Sequence, residues 1–161
     1  MVAERQQTTA ALPHRAYAGL VSRLAALTID IIIVCAVAVA VRLLPEFAWE
    51  QLLDRPAPDW FTTGCTFVAA LVPWLYFTIS WWLANRTIGG MVMGTVVLRP
   101  DGSELSLAHS ALRAWIGLLF APVWLVGMLP ILWDPKRRAW HDKLLHTVVR
   151  YAPRTKPVPA S

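Results

Sequence analysis

Charge is scarce in this chain, and two long stretches do almost without it. Asp, Glu, Lys and Arg make up 16% of the 161 residues, against about 25% in an ordinary soluble domain. Residues 60–85 carry no charged side chain, and residues 24–41 carry only Asp30. Such stretches cannot form the solvated face of a water-soluble helix, which argues against a soluble domain of this size. Cysteine is also sparse. Cys35 and Cys65 are the two in the chain. Neither has a CxxC neighbour or a histidine at metal-ligand spacing, so a disulfide framework and a zinc site are not expected. A nucleophile elbow, a phosphate loop and a dinucleotide fingerprint are all missing. His141 and His146 are five apart rather than four, and no Glu follows His141, so the zinc-protease pattern fails as well. No catalytic, metal-binding or cofactor-binding residue is therefore expected, and an enzyme is the weakest functional class.

What the chain does have is apolar length. It is 57% hydrophobic with a mean hydropathy of +0.49, and the apolar residues fall in three blocks. About 20 apolar residues suffice to cross a bilayer as a helix. The first block predicts a helix over about 22–44, stopped by Pro45, and the second a helix over about 62–84 that contains Pro73. The third, about 114–133, carries Pro122 and Pro130 and reads either as a third crossing or as a re-entrant hairpin. Nine tryptophans, most near the block ends, suit the headgroup region. Within the first block, Arg23 and Asp30 are seven residues apart, close to two helical turns, and so share a face. A carboxylate at that depth costs roughly 2.5–3.5 kcal/mol on insertion scales. It should face protein, water or a cation.

The loop after the first helix is acidic, with Arg55 as its one basic residue, whereas the chain beyond the third block is rich in Lys and Arg. The positive-inside tendency then places that loop outside and both termini in the cytoplasm. The net charge of +5 fits attraction to a bilayer with anionic headgroups. No recognition motif points to nucleic acid. Thr95-Val96-Val97-Leu98, followed by the turn Pro100-Asp101-Gly102, predicts a strand, and residues 147–151 predict a second. A lone short strand is unstable, so the two should pair. The expected fold is an α-helical integral membrane protein. It has two transmembrane helices, the third Pro-broken segment and a small cytoplasmic strand pair. Residues 1–16 read as a disordered cytoplasmic tail, 17–151 as the membrane domain and 152–161 as a basic, Pro-rich tail.

Three segments together resemble the RDD family of bacterial membrane proteins, named for one Arg and two Asp. Ser22-Arg23-Leu24-Ala25-Ala26-Leu27-Thr28-Ile29-Asp30 supplies the Arg and the first Asp. Thr87-Ile88-Gly89-Gly90-Met91-Val92-Met93-Gly94-Thr95, with Arg113 further on, is similar to the family's Gly-rich approach to a strand and the helix after it. Asp134-Pro135-Lys136-Arg137-Arg138-Ala139-Trp140-His141-Asp142 supplies the second Asp. Met91 stands where the family often has a basic residue. The resemblance implies a multipass protein of the bacterial inner membrane that transports a cation or small solute or is a component of such a system. The alternative is a non-catalytic accessory or assembly subunit of a membrane complex. Either role implies a homo-oligomer or a larger membrane complex. Arg23, Asp30, Arg113 and Asp142 are the residues the resemblance singles out. Asp30 reads as a pathway group or as a buried partner of Arg23, Arg113 or another polar group. Asp142 reads as an ion pair that pins its segment to the membrane domain.

Overall fold

The computed structural model describes residues 17–119, 129–134 and 137–152. Helix α1 runs Leu20–Leu53 and helix α2 Asp59–Ala84. A one-turn helix α3, Ile88–Val92, leads into strand β1, Thr95–Leu98. Helix α4 follows at Leu107–Leu119, then a 3-10 turn at Leu129–Leu132, a short helix α5 at Trp140–Leu144 and strand β2 at Val148–Tyr151.

α1 and α2 are both long and apolar enough to cross a membrane. Their burial distinguishes them from core helices of a soluble protein, because only 17% and 22% of their most apolar windows are buried. The pattern on α1 is inverted. Its buried residues are Arg23, Ala26, Asp30 and Val34, a stripe at helical spacing, while Ile31, Ile32, Val39 and Leu43 lie exposed. Charge on the inside and aliphatic side chains on the outside is the distribution that lipid imposes.

α1 is longer than expected and passes through Pro45 without ending there. Proline removes one helical donor and leaves the carbonyl of Val41 without its usual partner, a loss that a long membrane helix tolerates. An ion pair between Arg42 and Glu46 spans the same turn. The helix ends instead at Asp54, which adopts the left-handed conformation and returns its N–H to Glu50 O at 3.0 Å. Trp49, Trp60 and Phe61 cluster beside this connection, with centroids 4.7–6.0 Å apart.

The strands pair antiparallel, with Thr95 opposite Tyr151 and Leu98 opposite Val148. Val97 and Val149 meet Trp81 of α2, Ala114 of α4, Leu105 and Ala18 in a small core, with Trp74 and Phe77 packed against it. The strand pair thus sits at the end of the molecule where α1 begins and α2 finishes. The Gly-rich approach to the strand is itself partly helical, with Gly89 and Gly90 inside a one-turn helix. A further expectation needs revision, since α4 begins at Leu107, well before the third apolar block. A third span is not shown, since residues 120–128 lie outside the described residues, as do the tails 1–16 and 153–161.

Candidate functional site

The four singled-out residues are all buried, and they fall into two neighbouring clusters. In the first, Asp142 has no exposed surface and lies between two arginines from different helices. Arg23 of α1 donates through Nη1 to its Oδ2, and Arg113 of α4 donates through Nη2 to its Oδ1 at 2.7 Å. Thr147 Oγ1 donates to Oδ1 at 3.3 Å and itself accepts from Arg113 Nη1. The local sequence explains why Asp142 is held so firmly. It is the third residue of α5, and its Oδ2 accepts the N–H of Ala139, the residue before the helix, at 3.2 Å. An acidic side chain at that position commonly reaches back in this way to an unsatisfied donor. Arg23 Nη2 also donates to Arg137 O at 2.7 Å, and the Arg113 guanidinium lies 4.9 Å from the Trp81 ring centroid. One carboxylate therefore ties α1, α4 and the segment before β2 together.

The second cluster is built on Asp30. Its Oδ1 accepts from Tyr76 Oη at 2.6 Å and from Gly89 N at 2.8 Å, and its Oδ2 from Thr87 Oγ1 at 2.6 Å. Thr87 caps α3 by accepting Gly90 N at 3.0 Å, while Ile88 N donates to Tyr76 Oη at 3.2 Å. The exposed N–H groups at the start of a helix favour an acceptor and a negative charge. Asp30 supplies both. The price of this close approach is paid in side-chain volume, because a Cβ on Gly89 would lie 2.0 Å from the carbonyl oxygen of Ala26 on α1. Among the described residues, Asp30 pairs with α2 and α3 and with neither arginine.

Between the clusters lies a cavity of about 70 Å³ whose lining includes Arg23, Asp30, Arg86, Thr87 and Arg113. Outside the membrane helices, Asp134 forms a further ion-pair group with Arg138 and Lys143, each at 3.2 Å. Burial pushes its carboxyl up, but hydrogen bonds from the Arg138 side chain and backbone and from Lys143 outweigh this and bring it down to about 2. Among the described residues, no three His, Cys, Asp or Glu side chains group as metal ligands do.

Sequence reasoning singled out the charged members of these clusters but assigned no role to Tyr76, Arg86 or Thr147. Tyr76 is one more aromatic in an aromatic-rich helix, so nothing local marks it. Thr87 was legible in principle, since a threonine before a short helical turn is a common cap.

Two apolar spans with a polar interior, a short strand pair and a carboxylate between two arginines define a class of helical membrane protein built around buried ion pairs. The model of the RDD family matches residues 17–146, and the chain belongs to that family. Neither a curated protein nor a solved structure gives a significant match.

Proposed function

We propose that this chain is a non-catalytic subunit of an assembly in the bacterial plasma membrane, formed with further copies of itself or with another membrane protein. The observation that carries this reading is the engagement of Asp30, the acidic residue on the buried stripe of α1. Three donors from α2 and α3 already occupy its oxygens. A carboxylate offers about four acceptor sites, so little of Asp30 remains for a passing ion. Asp142 is similarly engaged by Arg23 and Arg113. The two membrane-length helices among the described residues are too few to enclose a polar path by themselves, which favours an assembly. In this reading both termini are cytoplasmic and the basic segments lie against anionic headgroups.

A second reading, transport of a cation or small solute by such an assembly, draws on one feature. Asp30 lines the cavity between the clusters as well as capping α3. Cation-driven proton flux in proteoliposomes separates the two, with wild type beside Asp30→Asn and folded yield read by size exclusion. The accessory reading expects no flux from well-folded wild type and recovery of the chain in a larger complex from native membranes. Flux from wild type that disappears in a normally folded Asp30→Asn protein would replace it with transport.

A further inference from the structure

We propose that the cavity between the two clusters binds one small oxyanion, either a free ion such as phosphate or the phosphate of a lipid headgroup. Three guanidiniums, Arg23, Arg86 and Arg113, line it. The carboxylates that face this group are Asp30, on the cavity wall, and Asp142, behind Arg23 and Arg113. Three positive charges against two negative ones leave an excess of one. An excess of positive charge lining a concave site attracts an anion as counter-charge.

Arg86 is the unbalanced member. It stands between α2 and α3 and is partly exposed, but its Nε is buried and has no hydrogen-bond partner among the described residues. Two further donors point the same way. The Nε atoms of Arg23 and Arg113 are buried and unbonded, on residues only 7% and 4% exposed. Each of their terminal nitrogens makes one hydrogen bond, to Asp142, Thr147 or Arg137, and with five N–H donors per guanidinium both residues keep donors, the Nε–H among them, to offer a ligand. The Asp30 oxygens are turned to Tyr76, Thr87 and Gly89, which reduces their repulsion of an incoming anion. A volume of about 70 Å³ exceeds what a single water needs and admits a tetrahedral oxyanion. Guanidinium groups are well matched to phosphate oxygens because their planar donors can bind two at once.

The test is a titration of the purified full chain in a neutral detergent, with potassium gluconate holding ionic strength constant. Inorganic phosphate is one ligand and short-chain phosphatidate the other. A ligand bound only by the folded state raises the unfolding temperature by roughly 5–10 °C at a hundredfold excess over its Kd. The expected result is a saturable rise for wild type that is retained in Arg86→Lys and weakened at least tenfold in Arg86→Gln. A rise with inorganic phosphate identifies a free oxyanion, and a rise with phosphatidate alone identifies a lipid headgroup. Equilibrium dialysis of radiolabelled phosphate and phosphatidate against wild type provides a count that does not depend on any variant folding. Binding well below one per chain for both ligands, or an equal rise in folded Arg86→Gln, would overturn the proposal.

Discussion

Replacing Asp142 by Asn keeps the shape of the side chain and removes only its charge. In the wild type, two arginines share that carboxylate at positions 6%, 0% and 4% exposed for the side chains of Arg23, Asp142 and Arg113. The amide turns one acceptor oxygen into a donor. It therefore faces either Arg23 and Ala139 N or Arg113 and Thr147 with the wrong polarity. Breaking a buried pair by neutralising one partner costs about 3–5 kcal/mol, a large share of the 5–15 kcal/mol that holds a typical domain together. At roughly 3 °C per kcal/mol for a chain of this length, the unfolding temperature in mild detergent should fall by about 10–15 °C. The folded fraction on size exclusion should fall with it. Arg113→Gln in the Asp142→Asn background should then cost less than it does alone, because the charge it removes is already unpaired, with a coupling of at least about 1 kcal/mol. An Asp142→Asn protein that melts within 2 °C of wild type (roughly half a kcal/mol), or two changes whose costs simply add, would refute the claim that this carboxylate ties the helices together.

Asp30 should be more forgiving of the same change. Asn keeps one oxygen for Tyr76 and Gly89, and its amide can donate to Thr87 Oγ1, so Asp30→Asn should lose about 1–2 kcal/mol while Asp30→Leu, which leaves those donors buried and unpaired, should lose about 3 kcal/mol or more; thermal melts of the two side by side check the order. Gly89→Ala should abolish the folded peak on size exclusion, since its Cβ would meet the Ala26 carbonyl, whereas Gly64→Ala, with nothing within 4 Å, should gain about 0.5–1 kcal/mol from helix propensity. Asp134 gives a pH signature: its folded carboxyl, at about 2, lies below its ordinary 3.8, so its contribution is present above about pH 4 and is lost as pH falls through 2. Because Arg138 and Lys143 are partly exposed, that contribution should be about 1 kcal/mol. Asp134→Asn should melt lower than wild type at neutral pH and converge with it near pH 2.

Much of the architecture was legible because its causes are local. The length and composition of residues 22–44 and 62–84 predict helices long and apolar enough to span a membrane, and β-branched runs beside Pro100-Asp101-Gly102 mark a strand and its turn. Pro45 misled because proline removes only one helical hydrogen bond, and α1 has enough length on both sides to continue past it. The start of α4 was missed because residues 107–113, Leu107-Ala108-His109-Ser110-Ala111-Leu112-Arg113, form two amphipathic turns and not the long apolar run that marks a span; their helix packs on α2, which sequence does not show. The clusters were half legible. Charge in an apolar block announces that a partner exists, but which partner depends on how distant segments meet. Asp30 could have paired with Arg23, two turns away on its own helix, yet it pairs with Tyr76, Thr87 and Gly89, 46 to 59 residues further on.

That choice has a physical basis. A pair between Arg23 and Asp30 would satisfy two charges within α1 and fix nothing else. Distributing them instead makes each charge a demand on another part of the chain. Arg23 can be satisfied only when α5 delivers Asp142, and Asp30 only when Thr87 and Gly89 arrive at α1. In lipid the apolar surfaces of two helices gain little from meeting each other, so burial of aliphatic side chains cannot specify this arrangement as it would in water. Buried polar groups that are unfavourable until paired can. The stripe Arg23–Ala26–Asp30–Val34 is therefore the specificity element of α1. Moving Asp30 by one residue, with Asp30→Ile and Ile31→Asp together, keeps composition and hydropathy but turns the carboxylate about 100° away from α3. That double variant should still insert into membranes and should fail to form the compact species on size exclusion. Normal compaction would mean that apolar packing alone selects the fold.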